Sequence, residues 1–108
     1  MPNGQQAIVP NEKLLDYLLN EEHEERPGYA VLFRILLGIN RSNFEVLKAA
    51  LLRAAAVEEA IAGKPSPYGQ KYEIRFEMTG PRGTYTIVSI WLIEGDSDAP
   101  RLITAFVE

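Results

Sequence analysis

Over roughly the first sixty residues apolar side chains recur at three- and four-residue intervals, and beyond Gly69 they recur at every second position. In "NEKLLDYLLN", Leu14, Leu15, Leu18 and Leu19 make a stripe at helical spacing behind Asn11, a residue suited to cap a helix start. The pattern predicts a short first helix ending near Asn20. A second helix opens with Pro27 in its first turn, where a missing N–H costs nothing, and stops at Gly38. Only Arg34 is charged within "YAVLFRILL", so this helix reads as apolar on nearly every side and buried. Ser42 and Glu45 stand in a capping-box relation ahead of a third helix, and Gly63 supplies its stop. Phe44, Leu47, Leu51, Ala54, Val57 and Ile61 trace one face of it.

The period then becomes two. In "KYEIRFEM", Tyr72, Ile74, Phe76 and Met78 face one way and Lys71, Glu73, Arg75 and Glu77 the other, which predicts a half-buried strand. "TGPRG" reads as a turn. "TYTIVSIWLI" is apolar on both faces, so it belongs in the middle of a sheet. "RLITAFV" gives a third strand, and "AIV" (Ala7 to Val9) suits a short edge strand. The expected fold is α+β: three N-terminal helices packed on a three- to four-stranded antiparallel β-meander. Residues 1–10 form an N-terminal segment, 11–63 the helical part and 68–107 the sheet.

At 108 residues the chain has room for one domain. It has no cysteine, which removes disulfides and zinc–thiolate sites and suits a reducing compartment. "MPNGQQAIVP" has no basic n-region and no apolar h-region, and no apolar run approaches membrane-spanning length; a cytoplasmic location with no membrane association is expected. Net charge is −4, and neither half of the chain is basic, against strong non-specific nucleic-acid binding.

The single histidine, His23, lies in "EEHEE". Flanking carboxylates can hold an imidazole for acid–base or metal chemistry. Contiguous residues do not converge on one point, however, and the helical i, i+4 ligand spacing is missing. No metal and no cofactor are expected, and the segment reads as a charged loop. The alternating charges Lys71, Glu73, Arg75 and Glu77 read as a solvated strand face. Tyr68, Tyr72, Tyr85 and Trp91 lack a basic frame for base stacking and read as packing. Arg101 and Thr104, an odd number of residues apart, point to opposite faces of their strand and together form no constellation.

The order of "NEKLLDYLLNEEH", "LFRILLGI", "FEVLKAALLRAA", "PYGQKYEIRFEMTGPRG" and "TIVSIWLIEGDSDAPRLITAF" resembles a bacterial family of small proteins with a domain of unknown function. Pro100 to Phe106 matches the Pro-Arg-Leu-Val-Thr-Ala-Tyr string of that family. More distantly the family is similar to toxin nuclease domains of the barnase, colicin D and RelE kind. That resemblance implies a metal-independent ribonuclease or a relative of one, with Asn20 and His23 matching the family's Asn-Pro-Glu-His segment and Arg101 and Thr104 its terminal strand. Where the family carries a lysine in Gly-x-x-Lys-Ala, this chain has Tyr29. A ribonuclease without metal needs cations on its phosphate.

Two functions follow as expectations. One is a non-catalytic protein-interaction module in a toxin–immunity or toxin–antitoxin setting. The alternative is a small ribonuclease acting on RNA through His23, Lys71, Arg101 and Thr104. Apolar side chains on both faces of the central strand also predict a homodimer through the sheet, unless residues 1–10 fold across the open face.

Overall fold

The computed structural model describes all residues, 1–108. α1 (Asn11–Lys13) runs directly into a π-helical turn (Leu14–Leu18), closed by the Leu19 N–H donating to the Leu14 carbonyl at 2.8 Å. The wider turn lets Leu14, Leu18 and Leu19 all enter the core. α2 (Pro27–Leu37) ends at Gly38, whose φ of 68° lies in the left-handed region and lets its N–H return to the Arg34 carbonyl. This helix is not buried all round: Ala30, Phe33 and Leu37 face the core, while Leu32 and Ile35 stay about 40% and 41% exposed. One face of contact is all that a two-layer domain offers a helix on its outside.

α3 (Phe44–Val57) grows from a 3-10 turn over Arg41–Asn43. That turn carries the capping box, with Asn40 rather than Ser42 as its cap. The Asn40 Oδ1 accepts the Ser42 N–H at 2.8 Å, and the Asn43 Oδ1 accepts the Asn40 N–H at 2.7 Å. Nor does α3 reach Gly63. It stops at Val57, and β1 (Ala60–Ser66) follows, a strand the helical periodicity had concealed. Ile61, expected on the helix face, is 63% exposed on that strand.

β2 (Gly69–Gly80), β3 (Gly83–Glu94) and β4 (Arg101–Val107) complete an antiparallel sheet in the order β1-β2-β3-β4. The domain is therefore α+β, helices first, with four strands. β3 lies between β2 and β4, as its doubly apolar pattern requires. Ile74 and Phe76 from β2, Ile87, Ser89 and Trp91 from β3, and Leu102, Ala105 and Val107 from β4 are buried. All but Ser89 join Leu14, Leu18, Phe33, Leu47 and Leu51 in one apolar core.

β4 departs from plain alternation. Trp91 pairs with Leu102 but Ile90 pairs with Thr104, leaving Ile103 as a bulge. The extra residue shifts the phase, so Arg101 and Thr104 share a face instead of opposing one another. Leu102 and Phe106 correspondingly fall on opposite faces.

The N-terminal segment does not cross the open face of the sheet. Its 3-10 turn (Gly4–Gln6) lies against α3 so closely that a Cβ on Gly4 would stand 1.9 Å from the Ala55 carbonyl oxygen. Ile8 then makes a single parallel bridge to β4, donating to the Pro100 carbonyl at 2.8 Å and accepting from the Leu102 N–H at 3.0 Å. The expected edge strand is thus one bridge long.

Candidate functional site

Lys71, Leu92 and Arg101 are cross-strand partners in one row, which sets Lys71 and Arg101 roughly 10 Å apart at two strand spacings. They line different clefts. Lys71 lines one of about 530 Å³ with Lys64, Tyr68, Leu92 and Ile103. Arg101 lines another of about 350 Å³ with Lys13, Asp16 and Tyr17. The bulged Ile103 belongs to both, so it forms the ridge between them. Tyr68 is 79% exposed, contrary to its reading as packing, whereas Trp91 is fully buried and Tyr72 and Tyr85 pack on the core.

His23 organises the loop between α1 and α2. Its Nδ1 accepts the N–H groups of Glu25 at 3.1 Å and Arg26 at 3.2 Å, so the neutral ring carries its proton on Nε2. Asn20 works on the same loop, accepting the Glu22 N–H and donating to the Asp16 carbonyl. A bidentate pair from Arg34 to Glu21, at 2.7 and 3.1 Å, ties the loop to α2. Those hydrogen bonds hold the Glu21 carboxyl below its usual range and push the Arg34 guanidinium up.

An aromatic series runs from this loop to the sheet. His23 meets Tyr17 edge-on with ring centroids 4.8 Å apart, Tyr17 meets Tyr29 at 6.3 Å, and Tyr29 stacks on Phe106 at 5.3 Å. Lys13 stands over Tyr17 and Arg26 over Tyr29. His23 touches the Arg101 cleft only through the Tyr17 ring. Among the four residues singled out from the sequence, Lys71, Arg101 and Thr104 share the outer sheet face, and His23 stands apart in its loop. Tyr17 and Phe106 were missed, because nothing in their spacing connects a loop histidine to the last strand.

Two features mark the outer face. Arg75 is held between Glu73 and Glu108, whose hydrogen bonds push its guanidinium up. Thr104 buries its Oγ1 with no hydrogen-bond partner. No group of three or more His, Asp and Glu side chains is placed to hold a metal ion. No helix is long and apolar enough to cross a membrane.

Residues 1–108 match the family described as Domain of unknown function (DUF6883). The chain belongs to the DUF6883 family. A solved structure described as "Contact-dependent growth inhibition toxin - immunity protein complex from Klebsiella pneumoniae 342" contains a chain similar to it, with a TM-score of 0.77 and 20% identity. The match covers 94% of this DUF6883 chain and 100% of the other, so the two share a fold. No curated relative matches the chain.

Proposed function

We propose that this DUF6883 chain is a non-catalytic protein-interaction module of a toxin–immunity or toxin–antitoxin system. One observation carries the reading. His23 uses Nδ1 to fold its own loop and reaches the Arg101 cleft only through Tyr17, while Lys71 lines a different cleft. A metal-independent ribonuclease needs its acid–base group and its cations around one phosphate. Tyr29, at the family's lysine position, is stacked on Phe106 and offers no cation. The similar chain from Klebsiella pneumoniae 342 belongs to a toxin–immunity protein complex, in keeping with a protein partner here. The surface that suits one is the outer sheet face, where Ile90, Leu92, Ile103 and Phe106 are only partly covered.

Incubation of the purified protein with total tRNA in chelator tests the catalytic half, and intact RNA is the expected outcome. Cleavage that disappears in both His23→Ala and Arg101→Ala would establish the ribonuclease alternative instead. Leu92→Asp tests the surface: a partner co-purified from the native host with the wild-type chain is expected to be lost. Light scattering of the isolated chain decides whether a second copy takes the same face, since a homodimer doubles the 12.1 kDa mass.

A further inference from the structure

β1 is shorter than the strand it pairs with. Its first partner is Ala60 opposite Ile74, so β2 from Arg75 to Gly80 has no neighbour on that side. The direction of its backbone groups follows from the far side of the sheet. The Glu108 N–H donates to the Thr86 carbonyl at 2.9 Å, so Thr86 turns its backbone polar groups toward β4. Glu77 lies opposite Thr86, and in an antiparallel ladder it must then turn its own N–H and C=O away from β3. By the same alternation Arg75 and Thr79 do likewise. Neither a backbone nor a side-chain hydrogen bond reaches these groups from the open side.

Beside this edge is a cleft of about 650 Å³, floored by Ala50, Ala54 and Phe76 and rimmed by Arg53 and Glu58. Small and apolar groups thus face the positions where alternate side chains of an added strand would point inward. On the outer face the charges differ in state. Arg75 already has Glu73 and Glu108, whereas Glu77 has no ion pair.

We propose that this edge is a strand-addition site. Its occupant is an extended segment of a partner protein that continues the line of β1, with a lysine or arginine opposite Glu77 and apolar residues on either side of it. The inference rests on the interaction reading and names its mode. A second copy paired antiparallel about Glu77 would set Glu77 against its own symmetry mate, and like charges directly opposite are destabilising.

The test uses two fluorescein-labelled synthetic peptides, Thr-Val-Lys-Val-Thr and Thr-Val-Glu-Val-Thr, with binding followed by anisotropy. The lysine peptide is expected to bind about fivefold more tightly than the glutamate peptide, and Glu77→Lys to reverse that order. Saturating lysine peptide should also slow amide hydrogen exchange at Glu77 and Thr79. No binding of either peptide, an order that Glu77→Lys leaves unchanged, or unaltered exchange at Glu77 would each overturn the proposal. The Leu92→Asp experiment reads a different surface, so either result stands without the other.

Discussion

Trp91 donates its indole Nε1–H to Ser89 Oγ at 2.9 Å, and both residues are fully buried on the same face of β3. The hydroxyl in turn donates to the Ile74 carbonyl at 2.9 Å. One small polar side chain therefore lets the largest residue of the core be buried with its N–H satisfied. Ser89→Ala leaves that N–H unpaired and is expected to cost about 1–3 kcal/mol. The urea midpoint measures it; a shift worth under about 0.5 kcal/mol would show the indole N–H is satisfied some other way.

Thr104 is the opposite case, a buried hydroxyl with nothing to bond. Thr104→Val keeps the shape and removes the orphaned group, so it is expected to stabilise the fold by about 1 kcal/mol. Thermal unfolding reads the sign directly. A destabilised valine variant would mean that the hydroxyl has a partner in solution.

At Gly80 the β2–β3 hairpin touches α2. A Cβ there would stand 2.5 Å from Leu37 Cα and 2.6 Å from the Leu36 carbonyl oxygen, both backbone atoms that cannot step aside. Gly80→Ala is expected to lower stability by about 1–3 kcal/mol. Gly28, in the first turn of α2, meets nothing within 4 Å, and Gly28→Ala should instead stabilise by about 0.4–1 kcal/mol. Paired denaturation curves separate the two.

The α1–α2 loop should loosen in acid. Because Arg34 favours the Glu21 anion, the folded carboxyl titrates below its unfolded value. Its contribution is complete above the ordinary carboxylate range and is lost as pH falls through the lowered folded value. In a carboxyl-detected NMR titration Glu21 should protonate below the ordinary glutamate range, and Arg34→Ala should return it to that range. Since the pair is exposed, added salt should weaken the effect.

The central place of β3 and the inward face of Ile74 and Phe76 were legible in the sequence, because a buried face imposes its period on the residues that fill it. β1 was not, for the same reason inverted. It buries almost nothing, so Ile61 could fall in step with Leu47, Leu51 and Val57 as if the helix continued. The facing of β4 was illegible because a single bulged residue, Ile103, changes phase without any mark in composition. Of the candidate site, Arg101 and Lys71 were legible as charges on strands. That His23 would be held by Glu25 and Arg26 in its own loop depends on a local backbone turn that charge patterning does not encode.

The bridge from Ile8 to Arg101 gives the domain a timetable. Ile8 leaves the ribosome well ahead of β4, yet its hydrogen-bonding partners on Pro100 and Leu102 are made only when that strand appears. Until then the N-terminal turn has α3 to rest on but no edge to close, and the core lacks Leu102, Ala105 and Val107. Contacts this distant in sequence slow folding, since the chain between them must be ordered first. The nascent chain therefore gains its complete core only after β4 has been synthesised, and until then β3 is paired on its β2 side alone.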